Sequence, residues 1–237
     1  MKIIAGPCAI EGWELARETA QFIDHIRSDF PQHEFVYKSS YDKANRTSIS
    51  SRRGVGMIDG LEILQRVKKE YGLNLTTDVH ETHEVNTVAQ VVDEIQIPAL
   101  LSRQTNLVVE AAKTGKWVNI KRAQTTSGKD AAPMIEKCHS VNNKKVQMIE
   151  RGTTVLNDFV IDWRNVLDMQ RLDCDVIVDV THPHGPKYAL DYARMARAIG
   201  VNGIFAEIHP FPDKAHSDGS KMLDFRRFRI LLEILSY

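Results

Sequence analysis

Short apolar runs alternate with helical patterns from one end of the chain to the other. Residues 2–5 form the first apolar run and read as a strand. Residues 13–27 repeat apolar side chains at Trp13, Ala16, Ala20, Ile23 and Ile26, the period of a helix buried along one side. The second strand is expected at 35–38. Leu61, Leu64 and Val67 mark a helix over 58–71, which Gly72 ends, because glycine takes the left-handed C-cap conformation without strain. Further strands are predicted at 73–77, 94–97, 117–120, 145–149, 176–180 and 203–208. Helices are predicted at 81–91, 105–113, 130–140, 162–171, 187–199 and 223–235.

Alternating strands and helices imply a parallel sheet with helical crossovers. Eight such units in 237 residues predict an α/β fold of the TIM type, a closed (β/α)8 barrel forming a single domain over 1–237. An open doubly wound sheet is the competitor. It would need a glycine-rich switch-point loop, and no GxGxxG follows the first strand.

Composition narrows the function classes. The chain carries 31 basic and 31 acidic residues, a balance that argues against a general nucleic-acid or membrane-surface binder. No apolar run approaches the roughly 20 residues needed to span a bilayer. Met1 leads directly into the first strand, with no signal core. Three cysteines are too few and odd in number for a disulfide framework, so a cytoplasmic location is expected. Cys138 and Cys174 fall in or beside helices and read as packing residues.

A barrel of this kind builds its active site at the carboxyl ends of the strands. Here each strand end offers a polar or ionisable group, and the opposite ends are expected to offer much less. Residues 37–54 form a long loop with Lys38, Lys43, Arg46, Arg52 and Arg53 against one acid, Asp42. That composition also suits a solvated surface loop, but Lys121 and Arg151 follow the fifth and sixth strands. Lys38, Lys43, Arg46, Lys121 and Arg151 would repel one another at one rim unless anions sat among them, as phosphates would. Asp78, His80 and Gln96 also stand at strand ends, as does His209.

A second group is Cys8, His182, Glu207 and Asp218, from the first, seventh and eighth strands or their loops. The eighth strand of a closed barrel neighbours both others, so the four can meet. A mixed sulfur, nitrogen and oxygen set suits zinc, iron, manganese or cobalt. A small buried cysteine and a satisfied loop histidine would have the same spacing.

Several segments in order carry a family resemblance. They are Gly6-Pro7-Cys8-Ala9-Ile10-Glu11, Asp42-Lys43-Ala44-Asn45-Arg46-Thr47-Ser48, Thr76-Thr77-Asp78-Val79-His80, Gln96-Ile97-Pro98-Ala99 and Arg103-Gln104-Thr105. Glu150-Arg151-Gly152-Thr153-Thr154, Glu207-Ile208-His209-Pro210, Asp213-Lys214-Ala215 and Ser217-Asp218-Gly219 complete the series. Together the chain resembles the 3-deoxy-D-manno-octulosonate 8-phosphate synthases, part of a wider group with the 3-deoxy-D-arabino-heptulosonate 7-phosphate synthases. Those enzymes are TIM barrels that condense phosphoenolpyruvate with a phosphorylated aldose. Lys43-Ala44-Asn45-Arg46-Thr47 sides with the octulosonate branch, whose acceptor is arabinose 5-phosphate.

The resemblance implies that Lys38, Lys43, Gln96, Lys121 and Arg151 hold phosphoenolpyruvate, and that Asn45, Arg46 and Thr47 hold the acceptor, with Asp78 and His80 beside them. It implies catalytic roles for Lys43, Lys121, Asp218 and His182. Cysteine after the first strand places the chain with the metal-dependent members, with Cys8, His182, Glu207 and Asp218 as ligands of a divalent metal. It also implies a homotetramer. Two segments depart from the family pattern. The loop after the seventh strand, commonly long and glycine-rich, is only Pro183-His184-Gly185-Pro186 before the next helix. Lys121 is followed by Arg122-Ala123-Gln124-Thr125-Thr126-Ser127-Gly128-Lys129 in place of the usual Lys-Gly-Gln-Phe. Both lie on the acceptor side. They leave erythrose 4-phosphate as a competing acceptor, and a non-catalytic phosphometabolite-binding barrel or a metal-dependent aldolase as competing functions.

Overall fold

A computed structural model describes residues 1–156 and 158–236. Eight parallel strands close into a barrel: β1 (Lys2–Gly6), β2 (Glu34–Lys38), β3 (Asn74–Asp78), β4 (Glu94–Ile97), β5 (Trp117–Lys121), β6 (Val146–Glu150), β9 (Asp175–Asp179) and β10 (Gly203–Glu207). β1 joins β10 in register from Lys2 opposite Gly203 to Gly6 opposite Glu207, which closes the ring. A ring of helices surrounds it: α1 (Trp13–Asp29), α2 (Met57–Tyr71), α3 (Val85–Ala89), α4 (Thr105–Lys113), α5 (Ala132–His139), α6 (Trp163–Met169), α7 (Ala189–Ile199) and α8 (Phe225–Ser236). The eightfold alternation read from the sequence is therefore the observed fold.

Three predicted helices begin differently. Residues 81–91 divide into a 3-10 turn, Thr82–Glu84, and the short α3. Glu81 and Glu84 form a capping box there, so the tighter turn satisfies the first backbone donors. Residues 130–140 likewise open with a 3-10 turn at Lys129–Ala131, and the region 187–199 with one at Gly185–Lys187. One element was not foreseen. A two-stranded antiparallel hairpin, β7 (Thr153–Val155) and β8 (Asp158–Val160), stands between β6 and α6.

Side chains alternate across a strand, so every second residue of each barrel strand points inward. Ile4, Val36, Ile149, Ile177 and Phe205 meet inside as an apolar layer. One step toward the carboxyl ends, the same alternation delivers Lys38, Lys121, Asp179 and Glu207 above that layer, all nearly fully buried. One step the other way lie Lys2, Glu94, Asn119 and Gln147, also buried. This lower cluster corrects the expectation that the opposite end is poor in ionisable groups. Lys2 Nζ stands 2.5 Å from Glu94 Oε1 and 4.4 Å from the centre of the Trp117 ring. Asn119 donates to Glu94 Oε2 at 2.7 Å, and Gln147 donates to Asn119 Oδ1 at 2.7 Å. Buried charge is tolerable when paired and hydrogen-bonded, and the cluster meets that condition.

Candidate active site at the carboxyl end of the barrel

The upper polar layer floors a cavity of about 290 Å³, whose walls are the loops after the strands. Lys38, Lys43, Arg46, Lys121 and Arg151 all line it, with Asp78, Glu207 and Asp218 among them. The loop after β2 is tied back on itself: Lys43 N–H donates to the Arg53 carbonyl at 2.7 Å, Gly56 N–H donates to the Tyr41 carbonyl at 3.0 Å, and Arg53 pairs with Asp42. That closure turns Lys43, Asn45 and Arg46 toward the cavity. Thr47 is exposed and does not line it.

The cations are anchored in part by shared groups. Lys38 donates to the Cys8 carbonyl at 3.1 Å and to Ser40 Oγ at 2.9 Å, with Glu207 Oε1 3.7 Å away. Lys43 donates to the same Ser40 hydroxyl at 2.8 Å. Burial opposes the charge on Lys43, but Cys8, Asp78 and Glu207 together outweigh it and raise its pKa. Lys121 lies 3.8 Å from the centre of the Phe205 ring and 3.1 Å from Asp179 Oδ2. Burial, helped by the nearby Arg151 charge, lowers the Lys121 pKa despite Asp179. Arg151 is 5.4 Å from the centre of the Phe159 ring.

Asp78 receives His80 Nε2 at 3.1 Å. Burial works against the Asp78 carboxylate, yet Lys43 and His80 hold its pKa well below the usual range. Gln96 Oε1 is buried without a hydrogen-bond partner among the described residues.

Ligating atoms of Cys8, Glu207 and Asp218 all lie within 4.8 Å of one another. His182 stands beside this triangle rather than in it. Its Nε2 is 3.8 Å from Glu207 Oε1, and its Nδ1 is 2.6 Å from Asp179 Oδ2. A carboxylate behind the imidazole fixes which ring nitrogen is free, the arrangement that commonly backs a metal-binding histidine. Burial lowers the His182 pKa against the pull of Asp179, so the ring is neutral, as a ligand must be. Burial, with Glu207, pushes the Cys8 thiol up to about 12, and Cys8 donates to Asp218 Oδ2 at 3.1 Å. Burial opposes ionisation of Asp218, but hydrogen bonds from Cys8 and Ser217 bring its pKa down to about 2.

Both oxygens of Glu207 are buried without a hydrogen-bond partner among the described residues. Lys38 Nζ, 3.7 Å from Oε1, offsets part of the charge, and the hydrogen-bonding capacity of both oxygens is left open to a cation. The donor set and this orphaned carboxylate fit a divalent metal.

Several site residues received no role from the sequence, although Asp179 stands at the end of the seventh strand among its ionisable groups. Asp179 ties Lys121 to His182 from below and also accepts from the Thr181 and His182 backbone N–H groups at 3.1 and 3.0 Å. Ser217 lies 3.3 Å from Cys8 Sγ and is held by Arg46 Nη2. Its place just before Asp218 could have marked it. Phe159 enters the cavity from the unforeseen hairpin, and Gln124 and Lys221 line it as well. His209 does not line the cavity. Its Nδ1 accepts from Phe211 N–H at 2.9 Å and its Nε2 faces Glu11 at 3.8 Å, contacts that hold the ring outside the cavity.

The sequence profile of the DAHP synthetase I family matches residues 1–236. A protein named 2-dehydro-3-deoxyphosphooctonate aldolase from Francisella tularensis subsp. holarctica (strain LVS) is 40% identical over 246 residues, spanning 98% of this chain and 89% of its own. Proteins of the same name from Nitratidesulfovibrio vulgaris (strain DP4) and Fusobacterium nucleatum subsp. nucleatum are 42% and 41% identical. The alignments span 99% of this chain and 90% of the former relative, and 98% of this chain and 88% of the latter. With the barrel closed, cations and candidate ligands gathered at one mouth and the match running through almost every residue, the chain belongs to the DAHP synthetase I family.

Proposed function

We propose that the chain condenses phosphoenolpyruvate with D-arabinose 5-phosphate and water to give 3-deoxy-D-manno-octulosonate 8-phosphate and inorganic phosphate. The observation that carries this reading is the name shared by relatives about 40% identical over 98–99% of the chain. The segment Lys43-Ala44-Asn45-Arg46-Thr47 favours the octulosonate product over the heptulosonate one. The catalytic unit is a single domain over 1–237.

Lys121 and Arg151 take the phosphate of phosphoenolpyruvate, Lys38 and Gln96 help to seat it, and Lys43 faces its carboxylate and the incoming aldehyde oxygen. Asn45 and Arg46 take the acceptor on the outer side, with Asp78 and His80 beside it, while Thr47 stands outside the cavity. The methylene carbon of the enol phosphate attacks the aldehyde carbon, and Lys43 supplies a proton to the aldehyde oxygen. Cationic character develops on the carbon bearing phosphate, where water adds. That water loses a proton, and Asp218 is the carboxylate beside the cavity that can take it. The resulting hemiketal phosphate breaks its carbon–oxygen bond and releases phosphate. Holding both anionic substrates in one cationic mouth removes their repulsion and the entropy of bringing them together.

Cys8, His182, Glu207 and Asp218 would hold a divalent metal, zinc, iron, manganese or cobalt, which when bound supplies Lewis-acid polarisation of an oxygen. No helix among the described residues is long and apolar enough to cross a membrane. All three cysteines are free, which suits a reducing cytoplasm. A homotetramer is the assembly the family resemblance implies, and light scattering on the purified protein tests it.

The decisive assay is phosphate release with phosphoenolpyruvate and arabinose 5-phosphate, run beside erythrose 4-phosphate. Preference for erythrose 4-phosphate would overturn the product assignment. Unchanged rates in Lys121→Ala and Arg151→Ala would overturn the residue roles. Cys8→Ser should lose bound metal, and unaltered metal content would remove Cys8 from the ligand set.

A further inference from the structure

Six cations line the cavity, and three of them have a carboxylate within 4.0 Å: Lys38 with Glu207, Arg46 with Asp218 and Lys121 with Asp179. Lys43, Arg151 and Lys221 have none among the described residues. Lys43 and Arg151 face phosphoenolpyruvate in the reading above. Lys221 has no role in it, and its ammonium makes no hydrogen bond to the described residues. A half-buried ammonium without a partner is poorly placed in the empty cavity and well placed once an anion enters.

Its position says which anion. Lys221 ends the 3-10 turn Gly219–Lys221, and its N–H donates to the Asp218 carbonyl at 2.8 Å. Ser217 and Asp218, at the start of the same turn, are the residues that hold Arg46. Lys221 therefore shares one turn of backbone with the partners of the acceptor-side arginine.

The short loop after β9 fixes this turn in place. Gly185 has φ +59°, and a Cβ there would fall 2.6 Å from the Ser220 carbonyl oxygen and 3.1 Å from Lys221 Cα. Only glycine lets the loop press so closely on the turn. The loop is fastened on its other sides too. Arg227 Nη2 donates to the Pro186 carbonyl at 2.7 Å, while His184 stands 2.7 Å from Asp158 of the hairpin and 3.0 Å from Tyr192 Oη. A loop stitched at these points is a brace that presents Lys221 to the cavity.

We infer that Lys221 is a substrate-binding residue that holds the phosphate of the aldose phosphate together with Arg46. The inference rests on the proposed condensation for the identity of the acceptor, and on the geometry for the residue. The test uses the metal-loaded enzyme and its Lys221→Met and Lys221→Arg variants, with steady-state kinetics and calorimetric binding of arabinose 5-phosphate and of unphosphorylated arabinose. Losing a charge-assisted hydrogen bond at a partly exposed site should raise KM and Kd for arabinose 5-phosphate about tenfold in Lys221→Met, leave KM for phosphoenolpyruvate within about twofold, and be largely reversed in Lys221→Arg. Binding of arabinose itself should not respond to the substitution.

An unchanged Kd for arabinose 5-phosphate in Lys221→Met would overturn the inference. So would an equal rise in KM for both substrates, which marks a general disturbance of the site. A wild-type enzyme that binds arabinose 5-phosphate without turning it over would remove the proposed condensation, while the Kd ratio would still decide Lys221. Absence of any binding would overturn both.

Discussion

Arg122 and Glu150 are fully buried and meet in two parallel hydrogen bonds, Nε to Oε2 and Nη2 to Oε1, each 2.6 Å. The guanidinium also donates to Thr153 Oγ1 at 2.9 Å and to the Ala123 carbonyl at 2.8 Å, and Glu150 accepts the Gly152 N–H at 2.8 Å. One pair thus joins the ends of β5 and β6 to the loop after β5 and the hairpin that carries Phe159. Arg122→Leu would strand a buried carboxylate, at a cost of about 3–5 kcal/mol. At about 2–4 °C per kcal/mol for a chain of this size, Tm should fall by roughly 6–20 °C. Glu150→Leu strands the guanidinium and should cost a similar amount. Replacing both at once leaves no buried unpaired charge, so the double variant should recover most of the loss and fall by far less than the two single losses together. Calorimetric melts of the four metal-loaded proteins measure the cycle. A double variant that falls by the sum of the two single losses would show that the pair is not an energetic unit and would refute the argument.

Asp179→Asn removes the carboxylate behind His182 and should weaken metal affinity by about 10–100-fold, read by competition with a chelator; unchanged affinity would mean that Asp179 does not orient the ligand. His80 gives a pH signature. Burial lowers its pKa, but Asp78 outweighs burial and the net shift is upward. Its stabilising contribution is therefore complete below the unfolded value of about 6.5 and is lost as pH rises through the folded value. Melts between about pH 6 and pH 8 should show the wild type losing stability that His80→Gln does not lose, and parallel curves would contradict this. Gly185→Ala forces a left-handed alanine against the Ser220 carbonyl and should cost about 1–2 kcal/mol from the backbone conformation alone. It should also raise KM for the aldose phosphate, and wild-type melting with wild-type KM would show that the loop does not brace the turn.

The barrel was legible because its signal is repeated. Eight apolar runs at regular spacing, each followed by a helical period, leave few alternatives, and the ends of β4 and α4 fall where the pattern put them. The hairpin was not legible, because strands of three residues carry too few side chains to show a period of two. The lower polar cluster was missed for a related reason. Lys2 and Glu94 sit at the first positions of β1 and β4, where charge ordinarily marks solvent, and only the closed ring shows that both point inward at each other.

The chemical site divides along the same line. Lys38, Asp78, Lys121 and Glu207 are the final residues of their barrel strands, so period-two alternation over an apolar inner layer is enough to aim them at one cavity. Cys8 and Asp218 lie 210 positions apart, and their meeting depends on β1 closing against β10, a fact of topology that no local pattern contains. Arg122 shows the limit most clearly. In sequence it reads as a departure beside Lys121, on the acceptor side. In the fold it points away from substrate and holds Glu150, while the adjacent Lys121 and Arg151 face the cavity. Neighbouring residues on a strand face opposite ways, so one residue of the pair can bind ligand only if its neighbour is satisfied behind the sheet. Arg122–Glu150 is that satisfaction, and the change at this position belongs to the framework rather than to the choice of aldose.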